Sequence, residues 1–167
     1  MMPPIALQLL DAWNARDIER FVGLLSEDVE WYDPGMVQPP ARGRAAVRQF
    51  VEEVLEAFPD FRYEVDGPVC ASDDGSRCAI AWRITATHSK PLRPLGFAPT
   101  GRSVDMRGVD VIDVEDGKIA RIRTAYDPIE AAEQLLGMPL RPVPGTWRAR
   151  LAVVAQRFLA WIARRRK

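Results

Sequence analysis

The sequence predicts an α+β fold in which N-terminal helices pack on a strongly curved, mainly antiparallel sheet. Three observations carry this. Apolar residues recur at helical spacing up to Phe58. From Phe61 onward the period changes to two, with Phe61, Tyr63 and Val65 alternating against Arg62, Glu64 and Asp66. The chain is also long enough, at 167 residues, to bury one core as a single domain.

The elements follow in order. Ile5–Asp17 is an amphipathic helix with Ile5, Leu9 and Trp13 on one side and Leu10 beside them. A shorter helix, Asp17–Leu25, turns Ile18, Phe21, Val22 and Leu25 inward. VEWYDPG is a short strand stopped by Asp33-Pro34-Gly35. Arg44–Phe58 carries Val47, Phe50, Val51, Val54, Leu55 and Phe58 at helical spacing and ends before Pro59. In Ala79–His88, Ile80, Trp82, Ile84, Ala86 and His88 share one strand face. The Pro- and Gly-rich SKPLRPLGFAPTGRS that follows is too long for a tight hairpin and is a candidate lid or mobile loop. After a last hairpin, Pro128–Leu136 is a helix closed by Gly137.

Within Val104–Val114, one strand face reads Val104, Met106, Gly108, Asp110, Ile112, Val114, with a single polar side chain. A carboxylate alone on an apolar face is costly unless it is hydrogen-bonded, paired or protonated, so Asp110 is a functional-site candidate. Its surroundings depend on the hairpin at Glu115-Asp116-Gly117. A three-residue loop ending in Gly117 as a bulge puts Ile122, Thr124 and Tyr126 on the face of Asp110. A two-residue Asp-Gly loop puts Arg121 and Arg123 there and makes Asp110 half of an ion pair with Arg123. The first keeps the apolar faces together and is the expected register.

Other residues carry two readings each. Trp31, Trp82, Met106 and Tyr126 are walls of a pocket for a bulky apolar ligand, or plain core. His88, the only histidine, lines the pocket mouth as a proton carrier, or ends its strand as a satisfied core residue. One histidine with two cysteines does not make a metal site, and there is no phosphate loop or nucleophile elbow, so no metal or cofactor is expected. Cys70 and Cys78 flank the turn-like ASDDGSR and are expected to be buried free thiols.

The segments DIERFVGLLSEDVEWYDP, GRAAVRQFVEEVLEAFPDF, PLGFAPTGRSVDMRGVDVIDVEDGKI and EAAEQLLGMP, in this order and spacing, resemble the nuclear-transport-factor-2-like superfamily. Within it the chain looks most like the SnoaL-like polyketide cyclases and their ketosteroid-isomerase relatives, over about Ile5–Leu140. The resemblance implies a cone-shaped α+β barrel around an apolar pocket and a small apolar, carbonyl-bearing ligand. It also implies acid–base cyclisation or isomerisation, with Asp33 as base and Asp110 as the acid that stabilises an oxyanion. Two positions depart from the pattern. The isomerases' oxyanion-hole tyrosine falls near Leu9, and the cyclases' carboxylate on the last strand aligns with Thr124. A non-catalytic ligand-binding or dimerisation module is the alternative. Asp33 can instead cap its own turn before Pro34. Asp127-Pro128-Ile129-Glu130 reads as a helix cap.

Beyond Pro139 the chain leaves the family pattern. Residues 1–140 form the expected pocket domain, and 141–167 a basic amphipathic extension. Arg141–Lys167 holds eight basic residues and no acidic one, leaving 15 basic against all 23 acidic residues in the body, a net of −8. An acidic body argues against nucleic-acid binding. A helix over about Thr146–Ala163 puts Trp147, Leu151, Val154, Phe158, Trp161 and Ile162 on one stripe. It packs on its own domain or a second subunit, a homodimer being the expected assembly, or it lies on an anionic membrane surface. Residues 164–167 are expected to fray. MMPPIALQLL has no basic residue before its apolar stretch, a poor signal peptide, so the expected location is cytoplasmic, with peripheral membrane attachment through the last helix as the variant.

Overall fold

The computed structural model describes residues 5–93 and 96–165. Helices α1 (Ile5–Ala15), α2 (Ile18–Gly23) and α3 (Gly43–Ala57) stand where the helical period places them. Asp17 caps α2 by accepting from the Arg20 N–H at 2.9 Å. The second helix is shorter than expected. It ends at Gly23, and Leu25, fully buried, opens strand β1 (Leu25–Tyr32) instead of closing the helix.

Six further strands complete a single curved sheet: β2 (Ala41–Arg42), β3 (Arg62–Val65), β4 (Cys70–Ala71), β5 (Arg77–Thr87), β6 (Ser103–Glu115) and β7 (Lys118–Tyr126). Their order is β2-β1-β7-β6-β5-β3, with β4 also paired to β5. All pairs are antiparallel except β1 with β7, and β2 and β3 remain as edges, so the sheet curves without closing. One face carries Ile80, Trp82, Ile84, Ile112 and Ile122, and it packs against Leu9, Leu10, Trp13, Phe21, Val47 and Val51 of the three helices. Trp13 sits at the centre, its ring edge-on to Phe21 at 5.4 Å and to Trp31 at 5.8 Å.

The last hairpin takes neither of the two expected loops in pure form. Asp116 and Gly117 make a two-residue turn with φ of 49° and 71°, and Glu115 pairs with Lys118. Left alone, that turn would set Arg123 opposite Asp110. The register then shifts by one: Val114 pairs with Ile119, but Asp113 pairs with Arg121, leaving Ala120 as a bulge in β7. Thr124 therefore faces Asp110, and Arg123 faces Val111. The expected face partners are right, and the expected loop is corrected. Burial is the physical reason, because the bulge keeps Ile119, Ile122 and Thr124 inside and Arg121 and Arg123 outside.

Helix α4 (Pro128–Leu136) is capped by Asp127, which accepts from the Ile129 and Glu130 N–H groups, and it ends at left-handed Gly137. Gln134 ties it to the Asp105 backbone. The final helix, α5 (Trp147–Arg165), buries none of its residues, so the expectation that it packs on its own domain does not hold here. It runs through Arg164 and Arg165, which were expected to fray; Arg166 and Lys167 lie outside the described residues. Cys78 is buried, but Cys70, on the short edge strand β4, is exposed, against the expectation of two buried thiols. No helix among the described residues is long and apolar enough to cross a membrane.

Candidate active site

A cavity of about 920 Å³ opens between the curved sheet, α3 and α4. Its walls are mainly apolar, and both Asp33 and Asp110 line it. Trp31, Trp82, Met106, Thr124, Tyr126 and His88 line it too, so all the expected site residues meet at one cavity.

Asp110 stands in the middle of β6 and is 2% exposed. Thr124 donates to its Oδ1 at 2.7 Å, and the Tyr63 hydroxyl donates to Oδ2 through a short bond. The Trp31 indole N–H in turn donates to Thr124 Oγ1 at 2.9 Å, so a chain of donors ends on one carboxyl group. Burial pushes the Asp110 pKa above the usual carboxylate range, and the bonds from Tyr63 and Thr124 oppose that push. Burial beside this carboxylate likewise holds the Tyr63 phenol well above its ordinary value. No ion pair involves Asp110 among the described residues.

Asp33 is arranged differently. It follows β1 at a turn closed by the Met36 N–H on the Asp33 carbonyl at 3.0 Å. Its Oδ1 accepts from the Gly35 N–H at 2.7 Å and from the Tyr126 hydroxyl at 3.1 Å, while Oδ2 has no partner among the described residues. The turn cap and the pocket-facing carboxylate are thus the same residue. Burial lifts its pKa to about 6, against the Gly35 and Tyr126 hydrogen bonds, with a smaller upward push from the charge of Asp110. Gly35 has no side chain where a Cβ would stand 2.6 Å from the Tyr126 hydroxyl, and this opening lets Tyr126 reach Asp33. Gly108 serves Trp82 in the same way. The two are paired across β5 and β6, and the tryptophan ring fills the space a side chain would take.

His88 lines the cavity next to the segment that carries Thr100. It is 2% exposed, lies against Phe58 with ring centres 5.3 Å apart, and accepts at Nδ1 from the Thr100 N–H at 3.4 Å. Leu92 and Phe97 bridge the segment expected as a lid, and both border the cavity; Pro94 and Leu95 lie outside the described residues. Leu9, at the place of the isomerases' tyrosine, is plain core.

Tyr63 is the functional candidate the sequence reading missed. Its signal was present: it is the one residue on the apolar parity of β3 with a polar tip, and such hydroxyls find partners when buried. No group of histidine, cysteine and carboxylate side chains among the described residues could hold a metal ion.

Comparison with known proteins agrees with this architecture. Among solved structures, a candidate polyketide cyclase from Pseudomonas putida KT2440 is 25% identical over 78% of this chain and 95% of its own, with a TM-score of 0.68. A candidate SnoaL-like polyketide cyclase from Jannaschia sp. CCS1 is 21% identical over 81% and 91%, with a TM-score of 0.70. AclR, a candidate hydroxylase from Streptomyces galilaeus, is 26% identical over 81% and 95%, with a TM-score of 0.65. No curated protein sequence matches the chain. These neighbours share the curved, half-open cone of the nuclear-transport-factor-2-like fold. The SnoaL-like domain profile matches residues 6–122, and with that span the chain belongs to the SnoaL-like family.

Proposed function

We propose that this protein is a proton-transfer enzyme, a cyclase or isomerase, acting on a small apolar molecule that carries a carbonyl group. One observation carries the reading: Asp33 holds one carboxylate oxygen in place and leaves the other free, inside an apolar cavity, with a pKa of about 6. Such a group is ionised near neutrality yet basic enough to take a proton from carbon next to a carbonyl.

In the proposed step, Asp33 Oδ2 removes the α-proton and the C–H electron pair becomes an enolate. Charge develops on the carbonyl oxygen, where hydrogen-bond donors lower the barrier most. Asp110, which lines the same cavity and whose protonated form burial favours, supplies that donor through its own carboxyl O–H while its oxygens accept from Tyr63 and Thr124. For isomerisation, protonated Asp33 returns the proton to another carbon. For cyclisation, the enolate carbon bonds to a second carbonyl and Asp33 protonates the resulting alkoxide. The mainly apolar walls lower the local polarity around the developing charge, which strengthens the hydrogen bonds that meet it.

The test is α-proton exchange of 2-tetralone in D2O, followed by NMR. The wild type is expected to accelerate exchange, with a rate that rises with pH through an apparent pKa of about 6. Asp33→Asn should lower it by about a hundredfold or more. Exchange that survives this substitution would remove Asp33 from its role. A second reading, binding without conversion, is favoured by one observation: both oxygens of Asp110 are already engaged. Saturable binding of the ketone with no exchange would establish it over the first.

A further inference from the structure

The last helix shows apolar and cationic groups together, and among the described residues none covers them. Trp147, Leu151, Val154, Phe158 and Trp161 are all exposed along one stripe of α5. Arg150, Arg157 and Arg164 recur every seven residues, which is close to two turns, so they form one row along an edge of that stripe. Arg148 lies on the opposite flank, its guanidinium over the Trp147 ring at 5.7 Å, and Arg165 lies over Trp161 at 3.9 Å. The helix root is tied down: Arg141 pairs with Asp127 and Glu133, and Arg148 donates to the Pro139 carbonyl at 3.2 Å.

We infer that α5 is a docking surface for an anionic lipid bilayer, on which it lies flat. Two features of the helix and its domain select this occupant. The helix has no acidic residue, so pairing with the same helix of a second copy would align rows of arginines with nothing to neutralise them. An anionic bilayer provides both things the helix lacks: an apolar layer for the tryptophans, Leu151 and Phe158, and negative headgroups for arginines flanking them. At 19 residues the helix is about 28 Å long, but it is too polar to cross a bilayer, so the surface is its place. The acidic body, net −8, would be held off the same headgroups, so that α5 and not the pocket domain makes the contact.

The test is co-sedimentation of the full chain with vesicles of phosphatidylcholine alone or with about 30% phosphatidylglycerol, at about 0.1 M salt. The chain should pellet with the anionic vesicles only, and release as salt is raised. The triple variant Arg150→Glu, Arg157→Glu, Arg164→Glu should lower partitioning by about tenfold or more, and Phe158→Ala with Trp161→Ala should also weaken it. Both sets change exposed residues, so an unchanged unfolding midpoint checks that the fold is intact. Equal pelleting with neutral vesicles, or none with either, overturns the proposal. So does a lipid-free dimer, seen by light scattering, that the same arginine substitutions dissolve, since that result assigns α5 to the acidic body of a second copy.

Discussion

Asp110 and Thr124 face each other across β6 and β7, and the threonine hydroxyl donates to Asp110 Oδ1 at 2.7 Å. The same hydroxyl oxygen accepts from the Trp31 indole, so one side chain joins two walls of the cavity to its buried carboxyl. The pairing exists because Ala120 bulges out of β7 and moves Arg123 to the solvent face.

Thr124→Val keeps the shape of this side chain and removes its hydroxyl. It would leave the Trp31 N–H without an acceptor and Asp110 Oδ1 without a donor. The expected loss of stability is about 1–3 kcal/mol, read from denaturant unfolding. Carboxyl 13C NMR should show the Asp110 pKa moving further up, since a bond that opposes the effect of burial is gone. A variant as stable as the wild type, with an unmoved titration, would mean that this chain of donors does not hold Asp110.

Asp33→Asn separates activity from stability. The folded pKa of Asp33, about 6, stands above its ordinary value of 3.8, so its folded state favours the protonated form. Its contribution to stability is therefore complete below about pH 4 and lost as pH rises to about 6. Asparagine keeps the acceptor for Gly35 and Tyr126 but carries no charge. The variant should match the wild type near pH 4 and become more stable above pH 6, by about 3 kcal/mol at most. Thermal unfolding from pH 4 to 8 measures this. A wild type that instead gains on the variant with rising pH would reverse the sign and discard the raised pKa.

Gly108→Ala tests the packing of Trp82. The new Cβ would lie 2.7 Å from the Ala125 carbonyl oxygen and closer still to the tryptophan ring. Neither the sheet backbone nor the ring, which is 1% exposed, has room to yield. The expected cost is about 1–3 kcal/mol, with a shift in the near-ultraviolet dichroism of the displaced indole. An unperturbed spectrum with wild-type stability would show that the sheet relaxes there.

How much of this was legible beforehand differs by residue. The order of elements, the apolar parity of β5 and β6 and the isolation of Asp110 follow from spacing alone, because side-chain direction in a helix or strand is fixed by local geometry. The capping role of Asp127 was legible for the same reason. Tyr63 showed only a polar tip on the apolar parity of β3; its bond to Asp110 was not legible, because it spans strands separated by β5 and depends on tertiary placement. The free face of α5 was not legible either, since an amphipathic pattern states that a stripe needs a partner and not which one.

Spacing and composition alone dictate helices followed by a curved sheet, with one carboxylate set on the apolar face of that sheet. They also dictate that a basic, acid-free helix follows the body. The partners of that carboxylate were set by packing in three dimensions. The Asp116-Gly117 turn taken locally favours Arg123 opposite Asp110, whereas burial of Ile119, Ile122 and Thr124 favours a shift by one residue. Bulging out a single alanine costs less than turning two arginines inward, so Asp110 meets Thr124 and Tyr63 and, among the described residues, no charge pairs with it.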